Sequence, residues 1–185
     1  RMIAAVKFME AEEWKRESLK TMGEALAESY YLQSRSDLVG AREAARMAIT
    51  LAPENGYAWA RVAELEFSFS RTREAGAALA KALRLAPRNA QAHALRGFLL
   101  SADNRIEDAA KSFEQAVRLD GALGNGWLGL GLTKIKRGDL AGGRGDLQTA
   151  ATVEPTVAGF HSYLGKAFSM EGRSEEARKD LDLAR

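Results

Sequence analysis

Six residues, Gly124-Asn125-Gly126-Trp127-Leu128-Gly129, carry the glycine spacing of a dinucleotide-binding turn. That chemistry needs a strand before the glycines, so that the chain turns tightly and a helix N-terminus meets the pyrophosphate. Residues 112–119 read as helix instead, which makes the three glycines packing residues. Arg144-Gly145-Asp146 spells an adhesion tripeptide, but it falls within a helix rather than at a loop tip. His93 and His161 are the two histidines. Helices stacked at ~10 Å would hold them on the order of 20 Å apart, too far to share a zinc ion, so they are expected to pack. Glu64 and Glu66 point about 200° apart on a helix and cannot act as an acid–base pair. No Ser/His/Asp spacing, phosphate loop or cysteine nucleophile remains. The chain reads as non-enzymatic, with no cofactor or metal implied.

The elements that hold these residues are helical. Of the 185 residues, 46% are hydrophobic and 28% charged, within the range of soluble globular chains. Alanine and leucine outweigh the β-branched residues, which favours helix. The net charge of +2 is too small for a nucleic-acid surface, and acids and bases alternate, as in Glu175, Glu176, Arg178, Lys179 and Asp180. No apolar run approaches the roughly 18 residues of a membrane span. No signal-peptide pattern opens the chain. The absence of cysteine excludes a disulfide framework and suits a cytosolic or a periplasmic protein equally.

One interval organises the whole sequence. Pro53, Pro87 and Pro155 are separated by 34 and 68 residues, and Gly121 fills the gap. Trp59, His93, Trp127 and His161 keep the same interval. So do small residues at Ala41, Ala75, Ala109, Gly143 and Ala177, and bulkier ones at Leu79, Phe113, Leu147 and Leu181 with Ala45 in the first unit. An alanine column runs through Ala48, Ala82, Ala116, Ala150 and Ala184. Gly97, Gly131 and Gly165 form another, with Ser29 and Ala63 as small substitutes.

This pattern resembles the tetratricopeptide (TPR) family, whose units carry an early Trp, Leu-Gly, an aromatic, then Ala, an aromatic, Ala and Pro. The best match is 124–157, with Trp127, Leu130-Gly131, Gly138-Asp139, Leu147, Ala150 and Pro155. Units are expected at 22–55, 56–89, 90–123, 124–157 and a truncated 158–185. The resemblance implies an all-α fold, a right-handed α–α superhelix of about five helical hairpins in one solenoid domain. Small residues in a unit's first helix admit its second helix, the alanine columns admit the next unit, and proline ends each unit. Residues 1–21 fall outside the phase. Ile3, Val6, Trp14 and Leu19 predict an amphipathic capping helix there. The abrupt end at Arg185 predicts a fragment of a longer chain. Gly142, Gly143 and Gly145 each cost roughly 1 kcal/mol against alanine in a helix. They mark 139–153 as the internal helix expected to exchange its amide hydrogens fastest.

In the family, first helices of successive units line a concave face. By phase, the candidate peptide-binding groove here consists of Leu26, Tyr30, Tyr57, Glu64, Phe67, Phe98, Leu128, Leu132, Ile135, Lys136 and Lys166, with Gln33, Gln91, Ser101, Asn125, Ser162 and Met170 alongside. Aromatic anchors among polar groups suit a peptide or a helix in a groove. Two specialisations of the family are missing. Leu26, Tyr30, Arg61, Gln91 and Leu95 stand where chaperone-tail adaptors carry their Lys/Asn clamp. Ala27, Arg61, Leu95, Gly129 and Tyr163 stand where the sugar-transferase relatives carry an asparagine ladder.

Residues 27–36, 58–75 and 120–144 further resemble the repeat region of large bacterial envelope proteins that join a FecR-type domain to such repeats. That resemblance implies a periplasmic or cell-envelope location; without it a cytoplasmic one is expected. The functional expectation is a scaffold that binds a protein or peptide partner, without nucleic acid or membrane insertion. Its rivals are an architectural spacer that self-associates end to end, and the regulatory arm of a larger envelope protein or enzyme.

Overall fold

The computed structural model describes residues 20–184, and the described residues form ten α-helices and no strand. They are α1 (Met22–Ser34), α2 (Leu38–Leu51), α3 (Gly56–Ser68), α4 (Thr72–Leu85) and α5 (Ala90–Ala102), then α6 (Ile106–Leu119), α7 (Gly124–Lys136), α8 (Leu140–Val153), α9 (Ala158–Met170) and α10 (Ser174–Leu183). The capping helix expected over 1–21 lies outside the described residues, apart from Lys20 and Thr21. The helices pair into hairpins, α1 with α2 through α9 with α10, and each first helix begins 34 residues after the previous one. The chain divides into two compact units, one ending at Pro87 and the other starting at Arg88.

Local chemistry sets the ends. Thr21 caps α1 in a capping box with Glu24, and Asn55 and Asn89 cap α3 and α5 through their side-chain oxygens. Glu24 takes hydrogen bonds from the Lys20 and Thr21 backbone, which hold its carboxyl below the usual range. The second helices α2 and α8 are capped by Asp37 and Asp139. Ala52, Ala86 and Glu154 end α2, α4 and α8 directly before a proline, in the non-helical backbone that a following proline imposes.

Three members of the tryptophan–histidine column make the same bond. Trp59 Nε1 donates to the Pro53 carbonyl at 2.7 Å, and Trp127 Nε1 donates to the Gly121 carbonyl at 2.9 Å. His161 Nε2 meets the Pro155 carbonyl at 3.1 Å, and its Nδ1 faces Asp180 of α10 at 3.0 Å. A ring nitrogen at this position ties each of these first helices to the bend before it. Either residue type can supply that bond.

The turn inside each hairpin repeats as well. Ser36, Ser70, Asn104, Gly138 and Gly172 all have positive φ, 64°, 57°, 61°, 90° and 74° in order. A side chain in this region is strained and glycine is not. Ser70→Gly is therefore expected to stabilise the first unit by about 0.5–1 kcal/mol, read as a raised urea midpoint at constant m-value. An unchanged midpoint would show that the turn carries no strain.

The small residues act as seams. A Cβ on Gly131 would lie 2.7 Å from the Gly143 carbonyl, and one on Gly143 would lie 2.6 Å from the Gly131 carbonyl. A Cβ on Gly165 would stand 2.8 Å from Leu181. Ala41, Ala48, Ala75, Ala82, Ala109, Ala116 and Ala150 are wholly buried. The fingerprint glycines also pack. Side-chain carbon on Gly124, Gly126 and Gly129 would meet Phe160, Val117 and Phe113 respectively. Treating Gly142, Gly143 and Gly145 alike as weak points needs correction. Gly143 is required by the α7–α8 seam, and a Cβ on Gly142 would strike the capping carboxylate of Asp139; only Gly145 of the three faces open space. The adhesion tripeptide is engaged internally, since Arg144 pairs with Glu171 and Asp146 with Lys134.

Candidate binding surface on the first helices

In the first unit the candidate residues gather around a buried cation. Arg61 of α3 is 2% exposed. Its Nε donates to Ser29 Oγ at 2.9 Å, its Nη2 to the Ser29 carbonyl at 3.0 Å and its Nη1 to Glu64 at 3.0 Å. Ser29 Oγ donates onward to the Ala41 carbonyl of α2, so one guanidinium links three helices. The Tyr30 ring lies over the same guanidinium at 4.0 Å, a cation–π contact that keeps the ring in place while 52% of the residue is exposed. Tyr57 is 61% exposed at the start of α3. Leu26 packs on the Ala25, Ala48 and Ala58 cluster, and Phe67 is half-buried.

Burial, reinforced by the Glu64 carboxylate, pushes the Tyr30 phenol above 10, against the opposing pull of Arg61. Its folded value is raised, so its contribution to stability is complete below pH 10 and is lost as pH rises through the folded value. Titration followed by ultraviolet absorbance and ring NMR should place Tyr30 above an ordinary tyrosine. Glu64→Gln should lower it part of the way, because burial remains. A Tyr30 that titrates like an ordinary tyrosine would contradict this environment.

In the second unit the residues part company. Phe98 of α5 meets Phe113 edge-on, with ring centroids 4.9 Å apart. Phe98, Ser101, Ile106, Phe113, Gly129, Leu132, Thr133 and Lys136 line one open pocket of about 100 Å³ between α5, α6 and α7. Gly129 borders it without a side chain, and the Phe113 ring occupies the place that a Cβ there would take. Lys136 at the rim is exposed and donates to Asn104 Oδ1 at 2.8 Å. Lys166 lies elsewhere, over the Tyr163 ring at 5.2 Å. Ile135 packs at the α7–α8 seam, beside Gly143.

Leu128 is not a groove residue. It is 8% exposed and belongs to the core cluster with Phe160 and Leu164 of α9. The missing side chain at Gly124 lets Phe160 approach α7, and Leu128 one turn later is covered by the same cluster. Sequence reasoning missed Ile106, Phe113 and Thr133 as pocket residues. Gly97 and Gly129 leave room for the Phe113 ring that forms one wall, which is the signal that could have located the pocket.

Several solved structures share this fold of helical hairpins. The thermophilic TPR protein TTC0263 of Thermus thermophilus superposes with a TM-score of 0.78 at 17% identity, over 89% of this chain and 90% of that one. The fold is that of the tetratricopeptide repeat. The Cut9–Hcn1 structure from the APC/C matches with a TM-score of 0.80 at 17% identity, over 98% of this chain and 35% of that one. YrrB, a TPR protein described as having an unusual peptide-binding site, matches with a TM-score of 0.56 at 19% identity, over 100% of this chain and 92% of that one. No family model matches the chain, and no curated protein matches it in sequence. The tetratricopeptide fold accounts for the hairpins, the glycine seams and the proline bends. No described helix is long and apolar enough to cross a membrane.

Proposed function

We infer that the chain is a non-catalytic protein-interaction scaffold that holds a peptide or helix against the first helices of its hairpins. The pocket beneath Phe98 and Leu132 carries this reading, because it is an apolar recess open to solvent and filled by no side chain of the second unit. The exposed rings of Tyr30 and Tyr57 support it from the first unit. Rigid aromatic anchors beside polar groups are what concentrate binding energy. A peptide-binding site in YrrB fits the same use of the fold.

Site-specific photo-crosslinking tests the reading better than charging Phe98, whose ring also packs on Phe113. A crosslinking amino acid at Tyr57 or Met170 on first helices should capture a partner in the parent cell. The same residue at Met47 or Glu114 on second helices should not. Equal capture at all four positions, or none at the first pair, would sink the proposal.

A second reading, self-association as a spacer array, is favoured by one observation. Leu181 and Leu183 on α10 are 39% and 57% exposed. Sedimentation over a concentration series decides it, since only self-association predicts a mass that rises with concentration. The narrower placement in an envelope protein rests on the stretches 27–36, 58–75 and 120–144, and fractionation of the native cell would test it.

A further inference from the structure

The charge around the pocket of the second unit is unbalanced in one place. Lys134 pairs with Asp146 at 2.7 Å, and Arg137 pairs with Glu107 at 3.2 Å. Lys136, between them in sequence, meets a neutral amide oxygen, that of Asn104. Among the described residues no carboxylate pairs with it. Asn104 occupies the left-handed turn position that Gly138 and Gly172 fill in later hairpins. Its side chain gives the lysine an uncharged acceptor there, one that a stronger acceptor can displace.

Below that ammonium lies the recess lined by Phe98, Ile106, Phe113, Gly129 and Leu132. Apolar cavities of about 150 Å³ accept a benzene ring, so an open recess of this size class suits one aliphatic or aromatic side chain. Thr133 adds little polarity to the wall, since its hydroxyl donates to the Leu130 carbonyl of its own helix at 2.8 Å. A carboxylate at the rim would replace the amide of Asn104 on Lys136. The bond to Asn104 is already charge-assisted through the ammonium, and a carboxylate adds the attraction of an opposite formal charge.

Resting on the scaffold reading above, we propose that this pocket recognises an internal peptide segment in which a leucine-sized apolar side chain enters the recess and a neighbouring Asp or Glu side chain pairs with Lys136. The partner is thus an acidic, apolar-anchored segment. Basic segments are rejected by the same lysine.

Amide-resonance titrations of the whole chain with blocked dipeptides test this. The probes are acetyl-leucyl-glutamate amide, acetyl-leucyl-glutamine amide, acetyl-alanyl-glutamate amide and acetyl-leucine with a free carboxylate. The first should shift the resonances of residues 98, 101, 129, 132 and 136 and bind roughly 1.5-fold to fivefold more tightly than the glutamine probe, the range of one exposed ionic contact. The alanyl probe should bind weakest. Lys136→Gln should erase the glutamate preference while leaving leucine-dependent binding. Ser101→Phe, which fills the rim, should abolish all shifts at the pocket. Equal affinity for the glutamate and glutamine probes, or a preference that survives Lys136→Gln, overturns the proposal. Tighter binding of acetyl-leucine than of the first probe overturns the choice of an internal carboxylate. Absence of any shift at the pocket overturns it even if photo-crosslinking at Tyr57 captures a partner. Conversely, crosslinking can fail while the probes bind, so the two readings fall separately.

Discussion

Gly143→Ala should destabilise the second unit by about 1–2 kcal/mol, while Gly145→Ala, two residues along the same helix, should stabilise it by about 1 kcal/mol. The first figure combines overpacking with a partial offset from alanine's helix propensity. A Cβ on Gly143 would sit 2.6 Å from the Gly131 carbonyl and 3.0 Å from the Ile135 amide nitrogen. Both are backbone atoms, so neither can rotate away, and α7 and α8 must separate. Around Gly145 nothing lies within 4 Å, so alanine there acts only through the backbone entropy of the unfolded chain. Urea unfolding of the two variants checks the pair. Effects of the same sign would show that the α7–α8 seam is looser than its geometry.

Arg61→Ala should cost about 3–4 kcal/mol, by removing a large buried side chain and orphaning its hydrogen-bond partners. The Ser29 carbonyl loses a donor, and Ser29 Oγ loses a partner while it still donates to Ala41. Glu64 is half-exposed and recovers water, so the loss comes mainly from the Ser29 end and from the cavity. A double-mutant cycle with Ser29→Ala should give a coupling of about 1–2 kcal/mol. Arg61→Lys should recover only part of the loss, because an ammonium cannot place donors on the serine hydroxyl and carbonyl in the planar fork that arginine uses. Additive losses in the cycle would mean that the guanidinium is held by packing alone.

Much of the fold was readable because its seams are written in residue size. Gly97, Gly131 and Gly165 recur where a Cβ meets the second helix of the same hairpin, and the alanine columns recur where the next hairpin leans in. Arg61 was not legible. It stood in a column with Leu95, Gly129 and Tyr163, and nothing in its spacing said that Ser29, 32 residues earlier, would present two acceptors to it. A lone arginine in a column of packing residues was the available sign. The groove was read by helical phase, and phase alone cannot show what a neighbouring helix covers. Leu128 was lost to the α9 cluster for that reason, whereas Phe98, Leu132 and Lys136 did meet at one recess. Asn104 and Ile106 belong to another helix or turn, beyond the reach of a count along α7.

Phe113 has a wider consequence. Its ring lies where side chains on Gly97 and Gly129 would have to be, one glycine on its own hairpin and the other on the next. Hairpins that share a ring in this way cannot fray independently, because opening either one exposes the same apolar surface. In a chain whose stability is a sum over neighbours, residues 90–136 should behave as a single cooperative block, the last part of the second unit to let go under force or denaturant.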